Sequence, residues 1–191
     1  KYNKQKRTFE ALTELIQETA DDIQYLESIS NALDIALSEA DLAQIKEELM
    51  QSGYIRRKHT KKKVKLTSKP MHYISSDGYD MYVGKNNLQN EELTFSFANG
   101  NDWWFHAKGA PGSHVIVKSG GDELPDRTFE EAGRLAAYYS KNRGADKVEI
   151  DYIQKKHVKK PNGAKPGFVV YYTNYSLVID SDISNIKNVQ D

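Results

Sequence analysis

Phe9, Leu12, Ile16, Thr19, Ile23, Leu26, Ser30, Leu33 and Leu37 fall at alternating steps of three and four. Seven of these nine positions are apolar, the a/d seam of a heptad repeat. No Gly or Pro interrupts the run and acidic residues fill its other faces, so it predicts one long helix. A narrow seam cannot bury itself. It calls for a partner: the following helix, a second copy of the chain, or a helix from a missing upstream region. Ser38 followed by Asp41 predicts a capping box opening a second helix, with Leu42, Ile45 and Leu49 on one face and Gly53 as its stop.

From Met71 the texture changes to strands and turns. His72 to Ser75 and Tyr79 to Val83 flank Asp77-Gly78, a hairpin signal. Asn86 to Leu93 reads as a short capped helix or turn. Trp103 to Ala107, Ser113 to Lys118, Val148 to Tyr152, Phe168 to Tyr172 and Ser176 to Ile179 read as strands. Thr128 with Glu131 predicts the cap of a helix through Tyr139, offering Phe129, Leu135, Ala136 and Tyr139 to a core. The fold class is α+β: a coiled-coil-like helical segment, then a compact mixed domain with a largely antiparallel sheet and one main helix. The expected boundaries are 1–53 for the helical segment, 54–70 for a linker and 71–191 for the mixed domain.

The chain of 191 residues has no cysteine, which excludes disulfide scaffolds, thiol catalysis and cysteine-type zinc sites. No apolar run approaches the roughly 18 residues of a membrane span, and no signal-peptide pattern opens the chain. Lys1 in place of a start methionine predicts a fragment of a longer protein. The net charge of +0 is a sum of unlike blocks. Residues 54–70 carry 8 basic and no acidic side chains, and residues 155–170 carry 5 and none. Polyanions would bind at these two segments. The first, containing Arg56, Arg57 and Lys58, has no core pattern and predicts a flexible linker or arm. The second, containing Lys155, Lys156, Lys159, Lys160 and Lys165, follows a strand and so presents its charge at a defined place.

Asp102-Trp103-Trp104-Phe105-His106 packs an acid, three aromatics and an imidazole into five residues. On a strand, Asp102, Trp104 and His106 share one face. That face is either a polar-aromatic surface for stacking and bonding a base, or a core tryptophan beside a structural Asp102–His106 hydrogen bond. Pro111-Gly112-Ser113-His114 is a turn whose backbone N–H groups could meet a phosphate, or an ordinary route into a strand. His106 and His114 raise the alternative of a nuclease. No HxH, HExxH or paired-carboxylate spacing supports a metal site, and no nucleophile elbow, P-loop or GxGxxG is present, so neither cofactor nor metal is expected.

These stretches, with Ser75-Ser76-Asp77-Gly78, Val83-Gly84-Lys85-Asn86-Asn87-Leu88-Gln89-Asn90, Ala136-Ala137-Tyr138-Tyr139-Ser140, Asp151-Tyr152 and Lys159-Lys160-Pro161-Asn162-Gly163-Ala164-Lys165-Pro166-Gly167, resemble the NFACT-R domain of the NFACT family. The resemblance covers residues 71–180, and residues 1–53 resemble the end of that family's coiled-coil arm. It implies a non-enzymatic RNA-binding module that engages tRNA and the large ribosomal subunit, in a factor that supports C-terminal tailing of stalled nascent chains. It implies a cytoplasmic protein. Streptococcal-type members also carry the name of fibronectin-binding adhesins, which implies fibronectin as the alternative partner and the cell surface, reached without a signal peptide, as the alternative location. The lysines of the second basic segment, with Arg56, Arg57 and Lys58, would contact phosphates. Asn86, Asn87, Asp102, Trp104, His106, Ser113 and His114 would form the polar-aromatic site.

Overall fold

The computed structural model describes residues 2–56 and 67–189. Helix α1 runs unbroken over Tyr2–Ile35 and α2 over Glu39–Gln51. The capping box forms as expected: the Asp41 N–H donates to the Ser38 hydroxyl at 3.2 Å, and the Asp41 carboxylate accepts from the Ser38 N–H at 3.1 Å. Gly53 ends α2 with a φ of 81°, a conformation that favours glycine.

The helix pair does not bury the heptad seam. Tyr25, Ile29 and Ala32 pack against Ile45, whereas Phe9, Leu12, Ile16, Ile23, Leu26, Leu33 and Leu37 are all exposed. At 100° per residue the packed stripe lies about 110° round α1 from the seam. The second helix is therefore not the seam's partner. On α2 itself Ile45 is buried while Leu42 is exposed.

The rest of the described chain builds a seven-stranded sheet in the order β6-β5-β3-β4-β2-β1-β7, with every pairing antiparallel. The strands are β1 Met71–Ile74, β2 Asp80–Val83, β3 Trp103–Ala107, β4 Val115–Val117, β5 Val148–Gln154, β6 Tyr175–Ile179 and β7 Lys187–Asn188. Gly78, with a φ of 88°, closes the expected β1–β2 hairpin. Helix α4, Asp126–Tyr138, lays Ala132, Leu135 and Ala136 on one face of the sheet, over Phe105, Val115, Val117 and Ile150. The π-helical turn Leu93–Phe97, which follows short helix α3, Asn87–Glu92, covers the centre of the other face together with Val158, Val169 and Tyr171. That second cover is what sequence alternation did not signal.

Two local expectations are corrected. Thr128 and Glu131 do not cap α4, whose N-cap is Pro125 with no side-chain hydrogen bond. They face the β1–β2 turn: Thr128 donates to Asp77 at 2.8 Å, and Glu131 accepts from the Ser76 N–H at 2.7 Å and from its hydroxyl. Phe168–Tyr172 forms no strand beyond a single bridge, Lys159 to Val170.

Candidate nucleic-acid interface

The aromatic strand β3 lies at the centre of the sheet, where both faces are covered. Trp104 and Phe105 are each 0% exposed, on opposite faces. Of the expected polar-aromatic surface at Asp102, Trp104 and His106, Asp102 and Trp104 are therefore interior, and His106 is half-buried. Asp102 does not bond to His106. Its carboxylate accepts from the Asn99 N–H at 2.7 Å, the Ser119 N–H at 3.1 Å and the Lys118 ammonium, while its carbonyl accepts from the Lys155 N–H at 2.8 Å. Asp102 thus fixes the starting points of two lysine-bearing segments.

His106 stacks on Trp104 with centroids 5.6 Å apart, and meets His114 edge-on at 5.4 Å. His114 pairs its Nδ1 with the Thr94 hydroxyl at 2.8 Å. Burial pushes the His106 imidazole down to about 4, and burial with the neighbouring His106 pushes His114 well below its ordinary value. Both rings are therefore neutral near pH 7. The turn before His114 offers no phosphate cradle at these positions. The Ser113 N–H donates to the Tyr139 carbonyl at 3.0 Å, and the His114 N–H to the Asn90 side chain at 2.9 Å.

Asn86 and Asn87 lie elsewhere, at a polar joint between the sheet domain and the helix pair. Asn86 caps α3 and donates to Gln44 at 2.8 Å. Asn87 donates to Glu48 at 2.8 Å and to Ser28 at 2.7 Å. Lys85 pairs with Asp41 at 2.6 Å. The joint needs glycine at 167: a Cβ there would stand 3.0 Å from the Asn87 Cβ, and the residue has a φ of 80°.

The second basic segment is ordered by its own contacts. Lys155–His157 forms a 3-10 turn after β5, Val158 is buried, and Lys159 and Val170 exchange backbone hydrogen bonds at 2.8 and 2.9 Å. Lys156 and Lys159 are exposed and make no ion pair among the described residues. Lys160 pairs with Glu91 at 2.7 Å. Lys165 reaches Asp22 at 2.5 Å and the Tyr54 hydroxyl at 3.0 Å, and lies 4.5 Å from the Tyr25 ring centroid. Burial opposes its charge, but hydrogen bonds to Asp22 and Tyr54 outweigh burial and raise its pKa. Arg56 is exposed, and Arg57 and Lys58 lie outside the described residues. Among the described residues no group of three or more His, Cys, Asp or Glu could hold a metal ion, and no helix is long and apolar enough to cross a membrane.

The expected stacking residues and the lysines are thus not one surface. Sequence reasoning missed a separate set of rings, His72, Tyr82 and Phe97, beside Lys118. The only signal for it was the alternation of the β1–β2 hairpin, which places His72 opposite Tyr82.

This arrangement, an antiparallel sheet with a basic strap and a docked helix pair, has known counterparts. The profile of the NFACT protein RNA binding domain matches residues 69–173, and that of the NFACT N-terminal and middle domains matches residues 1–68. The chain belongs to the NFACT family. It is 44% identical over its full length to the Rqc2 homolog RqcH of Streptococcus pneumoniae, and 39% identical over 97% of its length to that of Bacillus subtilis. It spans about a third of these relatives, 34% and 33%. The solved C-terminal part of the fibronectin/fibrinogen-binding protein from Streptococcus suis superposes with a TM-score of 0.89 at 42% identity, over 97% of this chain and 75% of that one.

Proposed function

We propose that this chain is the RNA-binding C-terminal portion of a ribosome-associated quality-control factor. It binds tRNA and the large ribosomal subunit in the cytoplasm, and the parent protein supports C-terminal tailing of stalled nascent chains. Its role is binding, with the peptide chemistry left to the ribosome. The observation that carries this reading is the ordered basic strap: Lys156 and Lys159 stand exposed without an ion pair among the described residues, on a chain matched by an RNA-binding domain family. A solvated loop has no need to be tied down by a backbone bridge and a buried valine. Lys155, Lys156 and Lys159 contact phosphates. Lys160 and Lys165 chiefly hold the strap to Glu91 and Asp22. The basic segment that opens at Arg56 adds non-specific attraction.

The test is a titration against deacylated tRNA from about 50 to 300 mM salt, where each phosphate contact steepens the negative slope of log affinity against log salt. The Lys156→Glu, Lys159→Glu double variant is expected to weaken binding and flatten that slope. Unchanged affinity would overturn the assignment. A fibronectin arm runs in parallel. Salt-resistant fibronectin binding with no tRNA binding would replace the RNA reading.

A further inference from the structure

We propose that His72, Tyr82 and Phe97, bordered by Lys118, form a shelf that stacks an unpaired nucleobase, with Lys118 and the Lys155 ammonium over neighbouring Phe95 meeting its phosphate; this rests on the RNA-binding reading above. Strand register puts His72, Tyr82, Ile116, Trp104 and Ile153 in one row across the sheet. Leu93, Val158 and Tyr171 pack against the inner part of that row. At its outer end the rings emerge half-buried.

Their geometry is that of a platform. His72 and Tyr82 stack with centroids 4.5 Å apart and planes 3° apart. Phe97 meets Tyr82 edge-on at 4.7 Å and is 41% exposed. Phe97 ends the π-helical turn Leu93–Phe97, a wide turn of the kind often found at functional sites. One cation touches this platform and a second lies over the neighbouring Phe95 ring. The Lys118 ammonium lies 4.8 Å from the Phe97 centroid, and donates to the Phe97 carbonyl at 3.3 Å and to Asp102. The Lys155 ammonium lies 5.8 Å from the Phe95 centroid. Among the described residues, Asp102 is buried among its donors and Asp80 takes a hydrogen bond from His72 at 2.7 Å.

An apolar fringe of the core accounts for half-buried rings. It does not account for the Lys118 ammonium held over the Phe97 ring by a buried aspartate. A base face stacks on such rings with little regard to sequence, and the cations suit the phosphate attached to it. In a duplex the base faces are hidden, so the shelf favours an unpaired nucleotide.

The test compares a fully paired RNA with the same RNA carrying a single bulged 2-aminopurine, using the full chain. The chain is expected to bind the bulged RNA about tenfold more tightly and to quench its fluorescence on stacking. Phe97→Ala is expected to lose that preference while binding the paired RNA as before, Phe97→Trp to restore it, and Lys156→Glu to weaken both RNAs alike. Equal binding of the two RNAs with no quenching would overturn the shelf while leaving RNA binding in place. Binding of neither RNA would overturn both readings. The quenching measured on the unaltered chain needs no variant to fold.

Discussion

Asn87 donates to Glu48 at 2.8 Å, and the second oxygen of Glu48 is buried with no hydrogen-bond partner among the described residues. This pair joins α2 to α3, so polar contacts help fix the helix pair to the sheet domain, beside Ile35 in the sheet's core and Phe168 against the helix pair. Burial pushes the Glu48 carboxyl up from 4.5. The unfolded chain therefore releases this proton first as pH rises, and Glu48 removes stability from pH 4.5 upward through its raised folded value. Glu48→Gln is expected to flatten that decline and leave the fold at least as stable at neutral pH. Asn87→Ala strips a buried acceptor of its donor and is expected to cost about 2–4 kcal/mol. Urea unfolding at several pH values measures both.

His106 and His114 act in the opposite sense. His106 is held neutral down to about 4, against an ordinary value of 6.5. As pH falls below 6.5 the unfolded chain takes up a proton that the fold refuses, so stability drops between pH 6.5 and about 4. His114 adds to the same drop. His106→Gln is expected to remove part of this acid sensitivity. A variant as acid-sensitive as the parent would place the cause elsewhere.

Gly84 is required by close approach and not by an unusual backbone angle. A Cβ there would stand 2.2 Å from the Asn90 side-chain oxygen and 2.9 Å from its backbone nitrogen. The same Asn90 oxygen accepts from the His114 N–H at 2.9 Å. Gly84→Ala is expected to destabilise by about 1–3 kcal/mol through overpacking. Thermal melting reads that loss, and the His114 amide signal is expected to shift with it.

Two substitutions in α1 separate its two apolar stripes. Ile29 is 5% exposed against α2, so Ile29→Ala is expected to cost about 2–5 kcal/mol. Ile16 is 69% exposed, so Ile16→Ala is expected to change stability by no more than about 0.5 kcal/mol. Comparable losses in denaturant unfolding would mean that the seam is covered after all.

Features that depend only on neighbours along the chain could be read before any fold was known. The unbroken α1, the Ser38–Asp41 capping box, the Asp77-Gly78 hairpin and the Asn86 cap all follow from short-range geometry and were legible. So was the placement of charge, because the basic strap is contiguous in sequence. A core Trp104 was one of two open alternatives, and alternation could not choose it, since it shows that a strand has two faces but not that a π-helical turn covers the second. Asn86 and Asn87 carry no local sign of the partners they meet in α1 and α2. The same holds for Thr128 and Glu131, which a cap pattern claimed and a distant turn used. The heptad seam named the apolar stripe of α1 but not which stripe α2 takes. Those choices belong to the tertiary structure, because burial and the pairing of buried polar groups are set by segments far apart in sequence. A period of two or three and a half residues holds no information about which of them will meet.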